Sequence, residues 1–191
     1  MEWEIIPAKK QSTTIWSGGE TRELYIFPAG SSYAGRDFEL RLSSATVTSP
    51  TSVFTDLLGY NRELIVLTGS IRLQHNDAPS LFLKELEIDS FDGGARTLSW
   101  GACRDFNVMC ANKSMCIPEI RAYTNLPEEF EEDQEEMFFY AADGDFIWYY
   151  GKEVLQLNKG DLLHICQAGK PFYLRTEAAD YKLIQVILKK R

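Results

Sequence analysis

Short strand-forming runs separated by turn residues follow one another along most of this chain, and no long amphipathic helical pattern interrupts them. Phe38-Glu39-Leu40-Arg41-Leu42-Ser43 alternates, with Phe38, Leu40 and Leu42 on one face and Glu39, Arg41 and Ser43 on the other. Leu64-Ile65-Val66-Leu67 is apolar on both faces, the pattern of a buried central strand. Thr68-Gly69-Ser70 then predicts a hairpin turn into Ile71-Arg72-Leu73-Gln74. Phe106 and Val108 face opposite to Asp105, Asn107 and Met109 in another alternating run. Phe138 to Tyr140, Phe146 to Tyr150 and Tyr181 to Ile187 carry the aromatic and β-branched content of strands. Asp143-Gly144-Asp145, Asn158-Lys159-Gly160-Asp161 and Ala168-Gly169-Lys170-Pro171 read as turns. The expectation is an all-β sandwich or barrel with little helix.

At 191 residues and 45% apolar content, the chain can bury a real core in one domain or in two closely packed halves. Pro127 to Glu136 concentrates acid, and is read as a solvated connector or a single helical turn, with a cation site as the alternative. It divides the chain into residues 1–126 and 127–191. A net charge of −8 argues against nucleic-acid binding, which needs a basic surface to displace counterions from phosphates. No stretch approaches the roughly 18 consecutive apolar residues of a bilayer-spanning helix. The start, Met1-Glu2-Trp3-Glu4, lacks the basic residues of a secretory signal, and Cys103, Cys110, Cys116 and Cys166 contain no C-x-x-C pair. The expectation is a cytoplasmic protein with reduced thiols, contacting neither membrane nor nucleic acid.

Three polar segments stand out from this strand pattern. In Trp16 to Leu24, paired glycines precede Thr21 and Glu23, which share a strand face; the segment is either a glycine turn opening an edge strand or a lip over a pocket. In Phe54 to Glu63, Arg62 stands at the mouth of the most apolar strand, as a surface cap or as a cation aimed inward, able to bind a carboxylate through its two-pronged donor face. Arg41 poses the same question, with solvent as the default for its face. In Trp100 to Met109, Asp105 and Asn107 share a face, either exposed or available to bond a polar ligand or orient an arginine.

The order of these segments is more specific than any one of them. W-S-G-G-E-T-R-E-L from Trp16, F-E-L-R-L-S-S-A from Phe38, S-V-F-T-D-L-L-G-Y-N-R-E-L from Ser52, F-D-G-G from Phe91 and R-D-F-N-V-M from Arg104 together resemble the HutD/Ves family. The C-terminal part, with Asn158-Lys159-Gly160-Asp161 before a strand carrying His164, is similar to the second half of a cupin jelly roll. The resemblance implies a single bicupin unit of two fused jelly-roll-like β-barrels. It also implies a role in bacterial histidine utilisation or stress, through binding a small acidic metabolite such as urocanate or formylglutamate. Carried onto this chain, it makes Trp16, Gly18, Gly19, Thr21 and Glu23 lip positions, raises Arg41 and Arg62 to pocket cations and sets Asp105 and Asn107 beside them. The glycine run is shorter than the Asn-plus-glycine run common in the family, and Leu40 stands where a Trp often precedes the arginine. Both departures bear on ligand choice rather than fold.

Metal-dependent cupins hold their ion with two or three histidines and a carboxylate. This chain has only His75 and His164, with no H-x-H pair, so the expectation is no metal and no cofactor. His75 reads as a turn residue and His164 as a hydrogen-bonded strand residue. The leading functional expectation is metal-free binding of a small carboxylate by Arg62 and Arg41, with Asn107 and Thr21 donating directional bonds and Trp16 or Phe54 covering a planar moiety. The rival is a cofactor-free isomerase or hydrolase with Glu23 or Asp105 as general base. A third reading is a homodimer formed through Trp148, Tyr149 and Tyr150, whose alternative place is the core.

Overall fold

The computed structural model describes residues 2–130, 136–166 and 171–190; the interior of the acidic stretch and most of the turn before Pro171 lie outside the described residues. The chain forms two units, a central one of Gln11–Ser114 and a terminal one joining Met1–Lys10 to Met115–Arg191. The chain opens in the terminal unit with β1 (Trp3–Ile6) and a 3-10 turn at Ala8–Lys10. The central unit follows with β2 (Ser12–Trp16), β3 (Gly19–Phe27), β4 (Leu40–Val47), β5 (Thr51–Val53) and β6 (Tyr60–Gly69). It continues with β7 (Ile71–His75), β8 (Leu81–Leu83), β9 (Ile88–Asp92), β10 (Thr97–Trp100) and β11 (Cys103–Ala111). The terminal unit resumes with β12 (Cys116–Tyr123), β13 (Glu136–Asp143), β14 (Phe146–Tyr150) and β15 (Glu153–Leu157). It ends with β16 (Leu162–Ile165), β17 (Tyr173–Arg175) and β18 (Lys182–Lys190). The all-β expectation is met, and among the described residues no helix is long and apolar enough to cross a membrane.

The division at 126/127 differs from the one the pairing makes. β1 pairs with β16, and β12 with β18, so both ends of the supposed N-terminal half hydrogen-bond into the terminal unit. Two fused barrels are not confirmed, because among the described residues no sheet closes on itself. The terminal unit has a five-stranded sheet in the order β1-β16-β13-β18-β12 and a three-stranded sheet β15-β14-β17. Phe139, Phe146, Trp148, Phe172 and Leu183 fill its core, with Phe130 stacked on Phe172 at 5.3 Å. Trp148, offered above as part of a dimer face, is fully buried there.

The central unit pairs a six-stranded sheet, β2-β3-β4-β11-β6-β9, with a four-stranded one, β5-β10-β7-β8. Leu64, Val66, Ile71, Leu73 and Leu83 pack between them. The hairpin expected at residues 64–74 does not form. β6 pairs with β11 and β9, whereas β7 pairs with β10 and β8, so the chain changes sheets at Ser70. Its neighbour makes the same change where β10 gives way to β11. Gly69 and Gly101 allow both crossings: each has positive φ, and a Cβ on either would lie 2.8 Å from a carbonyl oxygen of the opposite crossing, Ala102 and Ser70 respectively. A turn signal cannot distinguish reversal within one sheet from transfer to another, since both need the same backbone freedom.

Candidate functional site

The inner face of the six-stranded sheet is unusually polar, and strand alternation sets which residues share it. Antiparallel register aligns them in rows. Thr14, Thr21, Ala45 and Asp105 form one, and Ser12, Glu23, Ser43 and Asn107 the next. Arg41, Met109 and Arg62 form a third, with Met109 between the two arginines. These residues line a cavity of about 320 Å³, together with Trp16, Tyr33, Val47 and the Ser52–Thr55 segment. That size lies at the lower end of small-molecule pockets, roughly 300–1,000 Å³.

Both arginines are buried, only 6% and 5% exposed, which overturns solvent as the default for the Arg41 face. Arg41 donates from Nε to Glu23 Oε2 at 2.7 Å and from NH1 to Ser43 Oγ at 3.1 Å, and its guanidinium lies 4.4 Å from the Tyr33 ring centroid. Its charge is therefore matched within the site. Arg62 is held differently. Its NH2 donates to Asn107 Oδ1 at 3.0 Å, and its guanidinium lies 4.8 Å from the Phe54 and 5.2 Å from the Phe91 centroid. Its buried Nε–H meets no acceptor among the described residues. Burial lowers its basicity, and the nearby Tyr33 and Asp105 act in the opposite direction.

Asn107 joins this cation to an acid, since its Nδ2 donates to Asp105 Oδ1 at 3.0 Å. Asp105 is 2% exposed, and burial pushes its carboxyl up to about 6 from an ordinary 3.8. The Asn107 amide, the Arg62 charge and the Ala45 backbone each pull the other way without cancelling that burial. Burial and Asp105 together push the neighbouring Cys103 thiol up to about 12. At the rim, Trp16 Nε1 donates to Thr21 Oγ1 at 3.1 Å, fixing the indole against β3.

Of the ten residues singled out by sequence, Trp16, Thr21, Glu23, Arg41, Phe54, Arg62, Asp105 and Asn107 come together around this cavity. Gly18 and Gly19 do not line it. A Cβ at Gly19 would run into the Thr46 carbonyl oxygen of β4, so this glycine permits a close backbone approach. Sequence reasoning did not single out Ser43, Met109, Tyr33 or Phe91. The two-residue spacings of Ser43 from Arg41 and of Met109 from Asn107 are signals that could have found them. Tyr33 lies in the loop before β4, where no periodicity points inward. Neither histidine lines the cavity. His75 ends β7, where its Nδ1 and Nε2 each lie 2.8 Å from Thr97 Oγ1 and Asp89 Oδ2, and its ring stacks on Phe91 at 4.4 Å. It is thus a strand residue behind the wall rather than a turn residue. His164 lies in the terminal unit with Nε2 2.8 Å from Glu136 Oε1. Among the described residues, no group of three or more His, Cys, Asp or Glu is arranged to hold a metal ion.

A family model for HutD matches residues 8–181, nearly the whole length. The chain belongs to the HutD family. Solved structures similar to this HutD-family chain include the conserved protein of unknown function PA5104 from Pseudomonas aeruginosa PAO1, 23% identical over 100% of both chains with a TM-score of 0.82. HutD from Pseudomonas fluorescens SBW25, in its formate condition, is 20% identical over 100% of both chains, with a TM-score of 0.78. The oxalate decarboxylase–formate complex of Lactobacillus farciminis is 9% identical, with a TM-score of 0.65 over 97% of this chain and 86% of that one. At these identities the likeness shows a shared cupin-like fold. Among curated proteins none matches this chain.

Proposed function

We propose that this HutD-family protein binds a small carboxylate metabolite in the central-unit cavity without a metal ion. One observation carries the reading: Arg62 is buried between two aromatic rings, lines the cavity, and keeps an Nε–H without an acceptor among the described residues. Burying a guanidinium is costly, and a bound carboxylate would offset that cost through charge-assisted bonds. Thr21, Ser43 and Asn107 offer polar atoms in the same cavity, and Trp16 and Phe54 offer flat apolar walls. The family's link to histidine utilisation supports urocanate or formylglutamate as the ligand, with occupancy serving a regulatory role in that pathway or in stress. Two similar proteins appear with formate, HutD in its formate condition and oxalate decarboxylase as a complex, which supports a carboxylate as the chemical class.

Calorimetric titration of urocanate and formylglutamate into wild type and Arg62→Ala tests this reading. A charge-assisted pair is worth roughly 1.5–3 kcal/mol, so the variant should bind at least tenfold more weakly while keeping its fold by circular dichroism. Equal affinities would remove Arg62 from the site.

The second reading, a cofactor-free enzyme with Asp105 as general base, draws on one observation. Asp105 is desolvated in a cavity wall and its carboxyl is raised toward neutral pH, as a general base requires. Turnover of a titrated ligand by wild type, lost in Asp105→Asn, is its test.

A further inference from the structure

Resting on the carboxylate reading above, we propose that Asp105 serves as the internal counter-ion of Arg62 until a carboxylate binds that arginine, and then takes up a proton. The geometry begins with a shared bridge. Asn107 accepts from Arg62 through Oδ1 and donates to Asp105 through Nδ2, so the cation and the acid grip opposite ends of one amide. Both charged groups are almost wholly buried and line the same 320 Å³ cavity.

The other charged and ionisable groups around Asp105 leave it alone to respond. On its own strand β11 there is Cys103, whose thiol is held far above neutrality. On β6 there is Arg62. On β4 there are Arg41 and the Ala45 backbone, and on β3 there is Glu23, which is closed into its ion pair with Arg41 at 2.7 Å. Tyr33 covers Arg41. Within the protein itself, then, Arg41 is balanced by Glu23, and Arg62 by Asp105 across Asn107.

A ligand carboxylate on Arg62 puts a second anion where one cation was already matched. Two carboxylates desolvated around a single guanidinium repel, and the carboxyl closest to neutrality protonates first. Asp105 already titrates near 6, so it needs the smallest further push. Protonation also turns Asp105 from an acceptor into a donor, giving the site an O–H to direct at a ligand oxygen. The step is balanced simply: one proton from solvent forms the Asp105 O–H bond, and the ligand carboxylate becomes the partner of Arg62. Affinity thus falls as pH rises above the range in which Asp105 is partly protonated.

The probe is N-formyl-L-glutamate, whose carboxylates are ionised throughout the range used. It is titrated into wild type at pH 6.5 and pH 8.0, in two buffers of different ionisation enthalpy at each pH. The expected result is a Kd roughly ten- to twentyfold weaker at pH 8.0, with a buffer-dependent enthalpy there reporting uptake of about one proton. Asp105→Asn is expected to bind with little pH dependence and, at pH 8.0, about as tightly as wild type does at pH 6.5. If that variant does not fold, the proton count in wild type decides alone. A wild-type Kd unchanged between the two pH values, with buffer-independent enthalpy, overturns proton uptake and leaves the carboxylate reading standing. A pH dependence that survives in Asp105→Asn overturns the assignment to Asp105. Absence of binding at both pH values overturns the carboxylate reading and this inference with it.

Discussion

Replacing Asp105 by Asn should stabilise the empty protein at neutral pH, although Asp105 sits beside a buried arginine. A carboxyl moved from 3.8 to about 6 prefers its neutral form in the folded state. The unfolded chain then binds fewer protons than the folded chain between these two values, so stability falls as pH rises through that window and levels off above it. At about 1.4 kcal/mol per pH unit, this raised carboxyl costs the fold about 3 kcal/mol at pH 7.5 and about 1 kcal/mol at pH 4.5. The amide is nearly isosteric, carries no charge and can still accept from Asn107 Nδ2, so it avoids that cost. Urea unfolding of wild type and variant at the two pH values measures the difference directly. The variant should be the more stable by about 3 kcal/mol at pH 7.5, and the gain should shrink by about two-thirds at pH 4.5. A variant less stable than wild type at pH 7.5 would refute the reasoning, because it would mean that attraction to Arg62 outweighs desolvation.

Other residues give independent checks. Gly19→Ala should destabilise the fold by about 1–3 kcal/mol in thermal or urea melts, because its Cβ is directed at the Thr46 carbonyl oxygen and the clash falls on backbone rather than on a flexible side chain. Phe172→Ala should cost about 3–5 kcal/mol, since its ring is fully buried and packs against Phe130, Phe139 and Trp148. Cys103 should resist a thiol reagent at pH 8 in the native protein and react on denaturation, as its thiol is buried and raised to about 12; mass spectrometry of the labelled peptide reads this out.

Alternation made part of the site legible. The i, i+2 spacings of Thr21 with Glu23 and of Asp105 with Asn107 were enough to place each pair on one face. They could not say whether that face met solvent or a cavity, because polar residues on a strand ordinarily mark the outside. Arg41 shows the ambiguity most clearly: its strand buries Leu40 and Leu42 on one face and Arg41 and Ser43 on the other. Long-range pairing was out of reach for a different reason. β1 joins a sheet whose next strand lies at Leu162–Ile165, and no local pattern near Trp3 encodes that partner. The hairpin at Ser70 failed at the same level, with both strands present and their partners misassigned.

The two units also differ in what their sequences place between sheets, and this difference bears on function. In the terminal unit, aromatic rings occupy the interior, and Phe139, Phe146, Trp148 and Phe172 are fully buried. In the central unit, β3, β4 and β11 direct acids, an arginine, hydroxyls and an amide inward, and a cavity remains. Apolar side chains of similar volume would generally stabilise such an interior as well as a buried ionic cluster does, or better. The need for a stable core therefore accounts for the terminal interior and not for the central one. Matched charges such as Arg41 with Glu23 reduce the cost of burial, yet the Arg62–Asn107–Asp105 chain leaves a guanidinium N–H without an acceptor among the described residues and a carboxylate held in a desolvated state. On the proposed reading, both costs would fall when an anion enters and Asp105 takes a proton. The carboxylate ligand proposed above would relieve these two unfavourable features of the cavity together.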